Sequence, residues 1–331
     1  MAGAGSPADR ADATGVFGKH RNLLFAVAYR ILGRVTDAED VVQEAWLRWA
    51  KDRPEEVADP RAYLMRVTTR LAIDRLRRAK TRRESYVGPW LPEPLLTDRD
   101  VAEDIELAES VSMALLVVLE TLSPLERAVF VLREAFAMPY SEIAQTLGRS
   151  ESAVRQLGHR ARDHVRERRP RFDTDQATRQ RVTERFLTAT TNGDLEALME
   201  VLAPGVTLVA DGGGRTRAPL HPIYGADKVA RFLLSVSTQD KVAKFLEAIS
   251  AEALPDLLRA HLTRINGEPG IVLTYEGTPV TAIVLDVSEG VVQTIHLVAN
   301  PEKLMGVRAA ITGRTQQARP AMSHNGGGIA S

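Results

Sequence analysis

The stretch Ser141 to Arg169, SEIAQTLGRSESAVRQLGHRARDHVRERR, restricts the fold more than any other, because it reads as two short helices broken at Gly148. Ile143, Ala144 and Leu147 lie three and four residues apart and share one apolar face. Gly148 permits the positive φ of a tight inter-helix turn. Ser150 can cap the second helix, and Glu151 sits where the helix dipole favours an anion. That second helix buries Val154, Leu157, Ala161 and Val165. Its other face carries Arg155, Gln156, His159, Arg160 and Arg162, donors suited to base edges and phosphates in a major groove. The pattern is a helix-turn-helix. Gly158 stands mid-helix, where glycine costs about 1 kcal/mol relative to alanine, and predicts close packing at that point.

Charge separates this stretch from an ordinary solvated helical hairpin. Residues 148–171 hold eight arginines against three acids. The whole chain is neutral, with 43 basic and 43 acidic residues, but the neutrality is segregated. Residues 61–83 carry nine basic side chains and one acidic, and residues 84–120 carry one basic and nine acidic. Residues 179–302 hold 11 basic and 15 acidic groups. Two basic blocks separated by an acidic linker predict two contacts with nucleic acid. With no cysteine, disulfides and thiolate metal sites are excluded. No apolar run approaches the roughly 20 residues of a membrane helix, and MAGAGSPADRADATG lacks the basic and apolar regions of a signal peptide. The expected compartment is the cytoplasm, with no membrane partner. The seven histidines are scattered, so no metal and no cofactor is expected.

Three amphipathic helices precede the linker. Phe17, Leu24, Val27, Ala28 and Ile31 form one stripe over residues 16–32, ended by Gly33. Thr36 to Glu39 fits a capping box for a helix running to about Ala50, with Ala38, Val42, Ala45 and Trp49 buried. Its polar face, Asp40, Gln43 and Glu44, is acidic and reads as a surface for docking protein. Asp59-Pro60 opens the third helix, in which Leu64, Val67, Thr68, Leu71 and Ala72 face inward. Arg66, Arg70 and Arg77 lie opposite, with Arg78 behind them. Tyr63 sits at the entry, where an aromatic ring can either stack on an unpaired base or join the core. Gly88-Pro89-Trp90-Leu91-Pro92-Glu93-Pro94 must be extended. A helix over 104–120 follows, and Ser123-Pro124-Leu125-Glu126 combines a capping box with proline at the first helical position.

The C-terminal part changes character. A helix over 178–201 precedes strand-like runs at 206–210, 257–265, 270–275, 278–287 and 291–298. Turns such as Asn266-Gly267 and Glu289-Gly290 join them. Helices followed by curved antiparallel strands predict an α+β cone. Asp211, Asp286, His261 and His296 are its candidate general bases. For His296 a satisfied core or surface imidazole is the simpler expectation. Gly212-Gly213-Gly214 lacks the ending of a phosphate-binding loop and reads as a strand turn.

Residues 16–170 resemble an extracytoplasmic-function sigma factor. Asp37-Ala-Glu-Asp-Val-Val-Gln-Glu-Ala-Trp is similar to the helix that docks on the β′ clamp of core RNA polymerase, which implies Asp40, Gln43 and Glu44 as core-binding residues, with the β subunit as a second surface. Asp59 to Arg83 is similar to the segment that melts and reads the −10 promoter element, implying Tyr63, Arg66, Arg70, Arg77 and Arg78. Ser141 to Arg162 is similar to the −35 reader, implying Arg155, Gln156, His159, Arg160 and Arg162. The cone resembles the SnoaL-like extension of SigJ-type sigma factors. Trp90-Leu-Pro-Glu-Pro, Asp211-Gly-Gly-Gly-Arg215 and Asn300-Pro-Glu-Lys-Leu304 are similar to its marks, although Arg215 and Glu302 stand where lysine and aspartate are expected.

The implied architecture is multi-domain. A loose tail (1–14) precedes an all-α sigma region 2 (15–83), an acidic Pro-rich linker (84–110) and an all-α region 4 with the helix-turn-helix (111–170). An α+β SnoaL-like regulatory domain (179–304) and a second loose tail (305–331) complete it. Trp90, Pro92, Asp211, Arg215, Asn300, Lys303 and Leu304 are the expected cis-regulatory residues, the last five on an exposed contact surface. No catalysis is expected and no separate anti-sigma factor is required by the sequence, while the cone could hold a small apolar ligand. The competing readings are a one-component helix-turn-helix regulator with a ligand-binding cone, and a small-molecule enzyme fused to a DNA-binding module.

Overall fold

The computed structural model describes residues 7–51, 57–83, 85–97, 112–168, 174–237 and 258–309. The acidic stretch 98–111, with the start of the helix expected from residue 104, lies outside these residues, as do the ends of both expected tails. Helices α1 (Pro7–Leu32), α2 (Val35–Lys51) and α3 (Pro60–Arg83) form the first unit. Helix α1 begins well before residue 16, inside the stretch expected to be a loose tail. Ala13 is buried there, and its carbonyl accepts a hydrogen bond from Trp49 Nε1 at 3.0 Å.

The second unit comprises α4 (Met113–Glu120), α5 (Pro124–Phe130), a π-helical turn (Val131–Ala135), α6 (Tyr140–Leu147) and α7 (Glu151–Arg168). Ser123 and Glu126 close the capping box at the start of α5, with Pro124 in its first turn. The two helical units are not separate bodies. Leu24, Ile31 and Leu76 of the first share one continuous apolar core with Leu116, Leu132 and Val154 of the second.

Helices α8 (Gln176–Asn192) and α9 (Leu195–Val201) lead into a six-stranded sheet. Its strands are β1 (Leu202–Asp211), β2 (Ile223–Tyr224), β3 (Leu258–Ile265), β4 (Glu268–Tyr275), β5 (Thr278–Ser288) and β6 (Val291–Val298), in the order β2-β1-β6-β5-β4-β3, with α10 (Ala226–Ser237) after β2. Asn266 and Gly267 both take positive φ (54° and 76°), the geometry of a two-residue hairpin turn. The sheet is mixed and not purely antiparallel, because β1 pairs with β6 in parallel. A connection through α10 and the hairpins brings the chain back to β1 from the same end.

Both faces of the sheet are covered. Leu208, Ile271, Leu285 and Ile295 pack against Val182, Phe186 and Val229 of the surrounding helices. On the opposite face Val272, Ala282, Val284 and Val298 meet Leu91 of the linker, Met113 of α4 and Leu304. The near-continuous burial of β4 and β5 follows from this double covering.

Candidate nucleic-acid interface and the interdomain junction

Helix α6 ends in Gly148, at φ 62° and ψ 43°, where the Arg149 amide returns to the Ala144 carbonyl at 3.0 Å. The Ser150 hydroxyl accepts from the Ala153 amide at 3.3 Å and starts α7. Val154, Ala161 and Val165 are buried, leaving Arg155, Gln156, His159, Arg160 and Arg162 exposed together on the outer face. Gly158 is explained by Tyr140, whose hydroxyl would lie 2.9 Å from any Cβ placed there. The Arg155 and Arg133 guanidinium groups lie 5.2 and 5.0 Å from the same ring.

On α2, Asp40, Gln43 and Glu44 form one exposed stripe, continued by Leu47, which is 61% exposed. The expected capping box at Thr36 is not what starts this helix. Glu93 of the linker, fully buried, reaches its first turn and accepts from the Val35 amide at 3.0 Å. Burial raises the Glu93 pKa to about 6, against the pull of Arg34 and of the Thr36 and Val35 amides. Asp37 turns away to Arg75, at 2.8 Å, and Arg75 also bonds Asp40.

On α3, the Ala62 amide donates to Asp59 Oδ1 at 2.9 Å, as the Asp59-Pro60 start requires. Arg66, Arg70, Arg77 and Arg78 all point outward. Arg70 is nevertheless engaged, since its Nε donates to the Thr146 carbonyl at 2.7 Å, at the end of α6. Lys80 bonds the Leu122 carbonyl at 2.5 Å, and Arg83 pairs with Glu120, which also takes Arg127. The basic helix thus grips the second helical unit. Tyr63 is half-buried, with its ring 5.7 Å from that of Trp49, so it borders the core.

The C-terminal unit joins the linker through a buried polar cluster. Asp211, fully buried, accepts from Lys303 Nζ at 2.6 Å, Tyr86 Oη at 2.6 Å, the Leu91 amide at 2.8 Å and the Gly213 amide at 3.1 Å. Lys303 also donates to the Leu91 carbonyl, and its ammonium lies 3.8 Å from the Trp90 ring centroid, with Arg83 at 3.5 Å from the same ring. Burial lowers the Lys303 pKa to about 8, and the Asp211 carboxylate limits that fall. Asn300 Nδ2 bonds Tyr86 Oη at 2.8 Å and fits against Gly213, where a Cβ would come within 2.4 Å of it. The positive φ of Gly213 (60°) and this close approach both demand glycine.

A second contact lies at the Asn266-Gly267 turn. Asn266 Nδ2 donates to Tyr29 Oη at 2.6 Å, Tyr29 donates to the Glu93 carbonyl at 2.7 Å, and the Asn266 amide reaches the Leu95 carbonyl at 2.8 Å. Tyr29, Glu93 and Asn266 are all buried, and they come from the first helical unit, the linker and the sheet.

Comparison with known proteins fits this organisation. The profile of Sigma-70 region 2 matches residues 16–82, and that of Sigma-70, region 4 matches residues 112–165. The ECF RNA polymerase sigma factor SigJ of Mycobacterium tuberculosis is 38% identical over 317 residues, 90% of this chain and 97% of that one. The chain belongs to the extracytoplasmic-function sigma factors. The probable ECF sigma factor SigI of the same species is 32% identical over 297 residues, covering 89% of this chain and 95% of its own. The crystal structure of Mycobacterium tuberculosis SigJ aligns with a TM-score of 0.69 at 36% identity, over 88% of this sigma factor and 97% of that chain.

Several expectations change. Asp211, Asn300, Lys303 and Leu304 are not on an exposed surface; they are buried against the linker. Pro92 is buried beside them, and Trp90 is half-covered. Arg215 alone of the five is exposed, paired with Glu302 at 2.5 Å. Asp211 has four donors on its carboxylate, which leaves it no role as a general base. His296 is not a satisfied imidazole: it is buried with Nδ1 unpartnered, and burial lowers its pKa to about 4. His261 shares a 2.9 Å hydrogen bond with Thr274 Oγ1 on an edge strand. The functional partners that sequence reasoning missed are Tyr29, Tyr86, Glu120 and Asn266. Only Asn266 left a signal, its turn. Among the described residues no helix is long and apolar enough to cross a membrane, and no cluster could hold a metal ion.

Proposed function

We propose that this sigma factor directs core RNA polymerase to its promoters and that its C-terminal domain regulates that step in cis. The Asp40, Gln43 and Glu44 face, with Leu47 as an apolar anchor, docks on the β′ clamp, with further contact to β. Tyr63, Arg66, Arg70, Arg77 and Arg78 act at the −10 element, and Arg155, Gln156, His159, Arg160 and Arg162 at the −35 element. Residues 15–83 and 111–170 serve as the two promoter-reading regions, and 179–304 as the regulatory domain. The work is done in the cytoplasm, without catalysis by the cone, and requires no separate anti-sigma protein.

One observation carries the regulatory part. Asp211 and Lys303 form a buried ion pair whose other hydrogen bonds, apart from the one from the Gly213 amide, go to Tyr86 and Leu91 of the linker between the two promoter-reading regions. Both charges belong to the C-terminal domain, and the linker supplies the Tyr86 and Leu91 groups that complete their hydrogen bonding, so a linker held elsewhere leaves a buried pair with polar groups unsatisfied. It therefore fixes one geometry of the linker. In that geometry Arg70 is held by the end of α6.

Run-off transcription with purified core polymerase tests the reading. Promoter-specific transcripts are expected only when this chain is added, and the Asp40→Arg/Glu44→Arg double variant should abolish them together with core binding. If the double variant co-purifies with core at the wild-type level, the docking face is wrong. If no promoter-specific transcript forms with any core and promoter set, the initiation reading fails.

A further inference from the structure

A cavity of about 720 Å³ lies outside the cone, on the sheet face that also meets Leu91, Met113 and Leu304. It opens between that face and helices α4 and α7 of region 4. Pockets of this size at domain boundaries typically bury a small organic molecule. The floor is apolar, built from Met113 and Val117 of α4 and from Val209 and Val284 of the sheet. His296 also lines it, at 4% exposure, with Nδ1 buried and unpartnered. Neighbouring Thr294 and Asp286 face each other in the β5–β6 register.

The rim has a different character. Arg162, Arg166 and Arg168 approach from the last turns of α7, and Arg179 from α8. Glu268 holds Arg179 with both oxygens, at 2.7 and 2.8 Å, and neutralises that arginine, so the basic character of the rim comes from Arg162, Arg166 and Arg168. Arg166 meets Asp163 only on the exposed surface of α7. The cavity thus joins an apolar floor to a basic mouth.

We propose that this cleft binds an apolar organic anion, with its hydrocarbon body on the methionine and valine floor and its anion at the arginine rim. The site stands on this geometry alone and does not depend on how the chain acts in transcription. An occupant would touch α4, α7 and the sheet at once, so it would favour the arrangement in which region 4 rests on the C-terminal domain. The gain follows from ligand concentration relative to Kd.

The test uses the full chain and 8-anilinonaphthalene-1-sulfonate, which combines apolar rings, one N–H donor and one anion, with decanoate as competitor. Saturable fluorescence enhancement at one site per chain, displaced by decanoate, is the expected result. Thr294→Trp, which fills the cleft, should abolish it. Arg166→Glu, on an exposed helix face that does not bear on folding, should weaken it about tenfold, the equivalent of 1.4 kcal/mol. Arg231→Glu, on α10, should leave it unchanged. Absence of saturable binding overturns the proposal, as does binding that survives both Thr294→Trp and Arg166→Glu. Binding that appears only after Asp100, Glu103, Asp104 and Glu106 are changed to amides also overturns it, in favour of the chain's own acidic segment as occupant.

Discussion

Asp211→Ala is the sharpest perturbation of the junction. It deletes the acceptor of four hydrogen bonds and leaves the Lys303 ammonium buried without its counter-ion. Removing one partner of a buried pair costs about 3–5 kcal/mol. The three units can avoid that cost by separating, since an open junction lets water solvate Lys303. The penalty therefore falls on the junction and not on the individual cores, and each 1.4 kcal/mol is a factor of ten. Opening should become roughly 10²- to 10³-fold more populated. Hydrogen exchange reads this directly. The amides of Glu93, bonded to the Gly33 carbonyl, and of Asn266, bonded to the Leu95 carbonyl, report opening without themselves touching Asp211. Both should exchange two to three orders of magnitude faster in the variant, while amides inside α2 and β6 stay at wild-type rates. Asp211→Asn/Lys303→Met, which keeps an acceptor and removes both charges, should restore most of the protection. Unchanged exchange at Glu93 and Asn266 in Asp211→Ala would refute the view that this ion pair sets the linker geometry.

Arg160→Ala is expected to weaken binding to a cognate −35 element by about 1–3 kcal/mol if the side chain reads a base, and to weaken all sequences alike if it meets phosphate; mobility-shift titration against cognate and scrambled DNA separates the two. Arg70→Ala removes the carbonyl clasp on α6, so amides at the α6–α7 turn should exchange faster while the melting temperature stays near wild type. His296, with its pKa lowered from 6.5 to about 4 by burial, takes up its proton more readily unfolded than folded. Its contribution is complete above pH 6.5 and is lost as pH falls towards 4, by up to about 3 kcal/mol. Glu93, raised from 4.5 to about 6, slopes the other way between those values. Denaturation curves of His296→Phe should therefore show a smaller acid-side loss than those of the wild type, and an identical pH profile would count against the burial effect.

What could be read from the sequence was what neighbouring residues decide. The α6–α7 turn, the Ser123 capping box and the Asn266-Gly267 hairpin each depend on a few contiguous residues, and each forms as its chemistry requires. The start of α2 misled for the converse reason. Thr36 and Glu39 carry the local signature, but a carboxylate 58 residues away takes the helix end instead. Arg70 offers the same lesson, because nothing near it in sequence announces the Thr146 carbonyl. The residues at the junction were found through family resemblance, yet their surroundings were misjudged. Polar side chains flanked by glycine and proline usually lie on surfaces, and only the linker lying across Asp211 and Lys303 makes them interior. The parallel β1–β6 pairing was equally hidden, since successive hairpins suggest antiparallel neighbours throughout.

The hydrogen bond from Asn266 to Tyr29 spans 237 positions. A ribosome adding 5–20 residues each second needs about 12 to 47 s to cover that distance. Only in the last part of that interval, about 5 to 19 s for the 96 positions from residue 170 to Asn266, have both sigma regions been made while the turn that will hold the α1–linker corner has not. Tyr29, Glu93 and the linker carbonyls meet water during synthesis, and polymerase can reach the nascent chain before its own C-terminus does. Under the regulation proposed above, each molecule thus passes once through an unregulated youth, whose length is set by the number of codons after region 4. A chain halted before Leu258 is that young molecule made permanent, and slowing elongation between the α7 and β3 codons should lengthen the period in every copy.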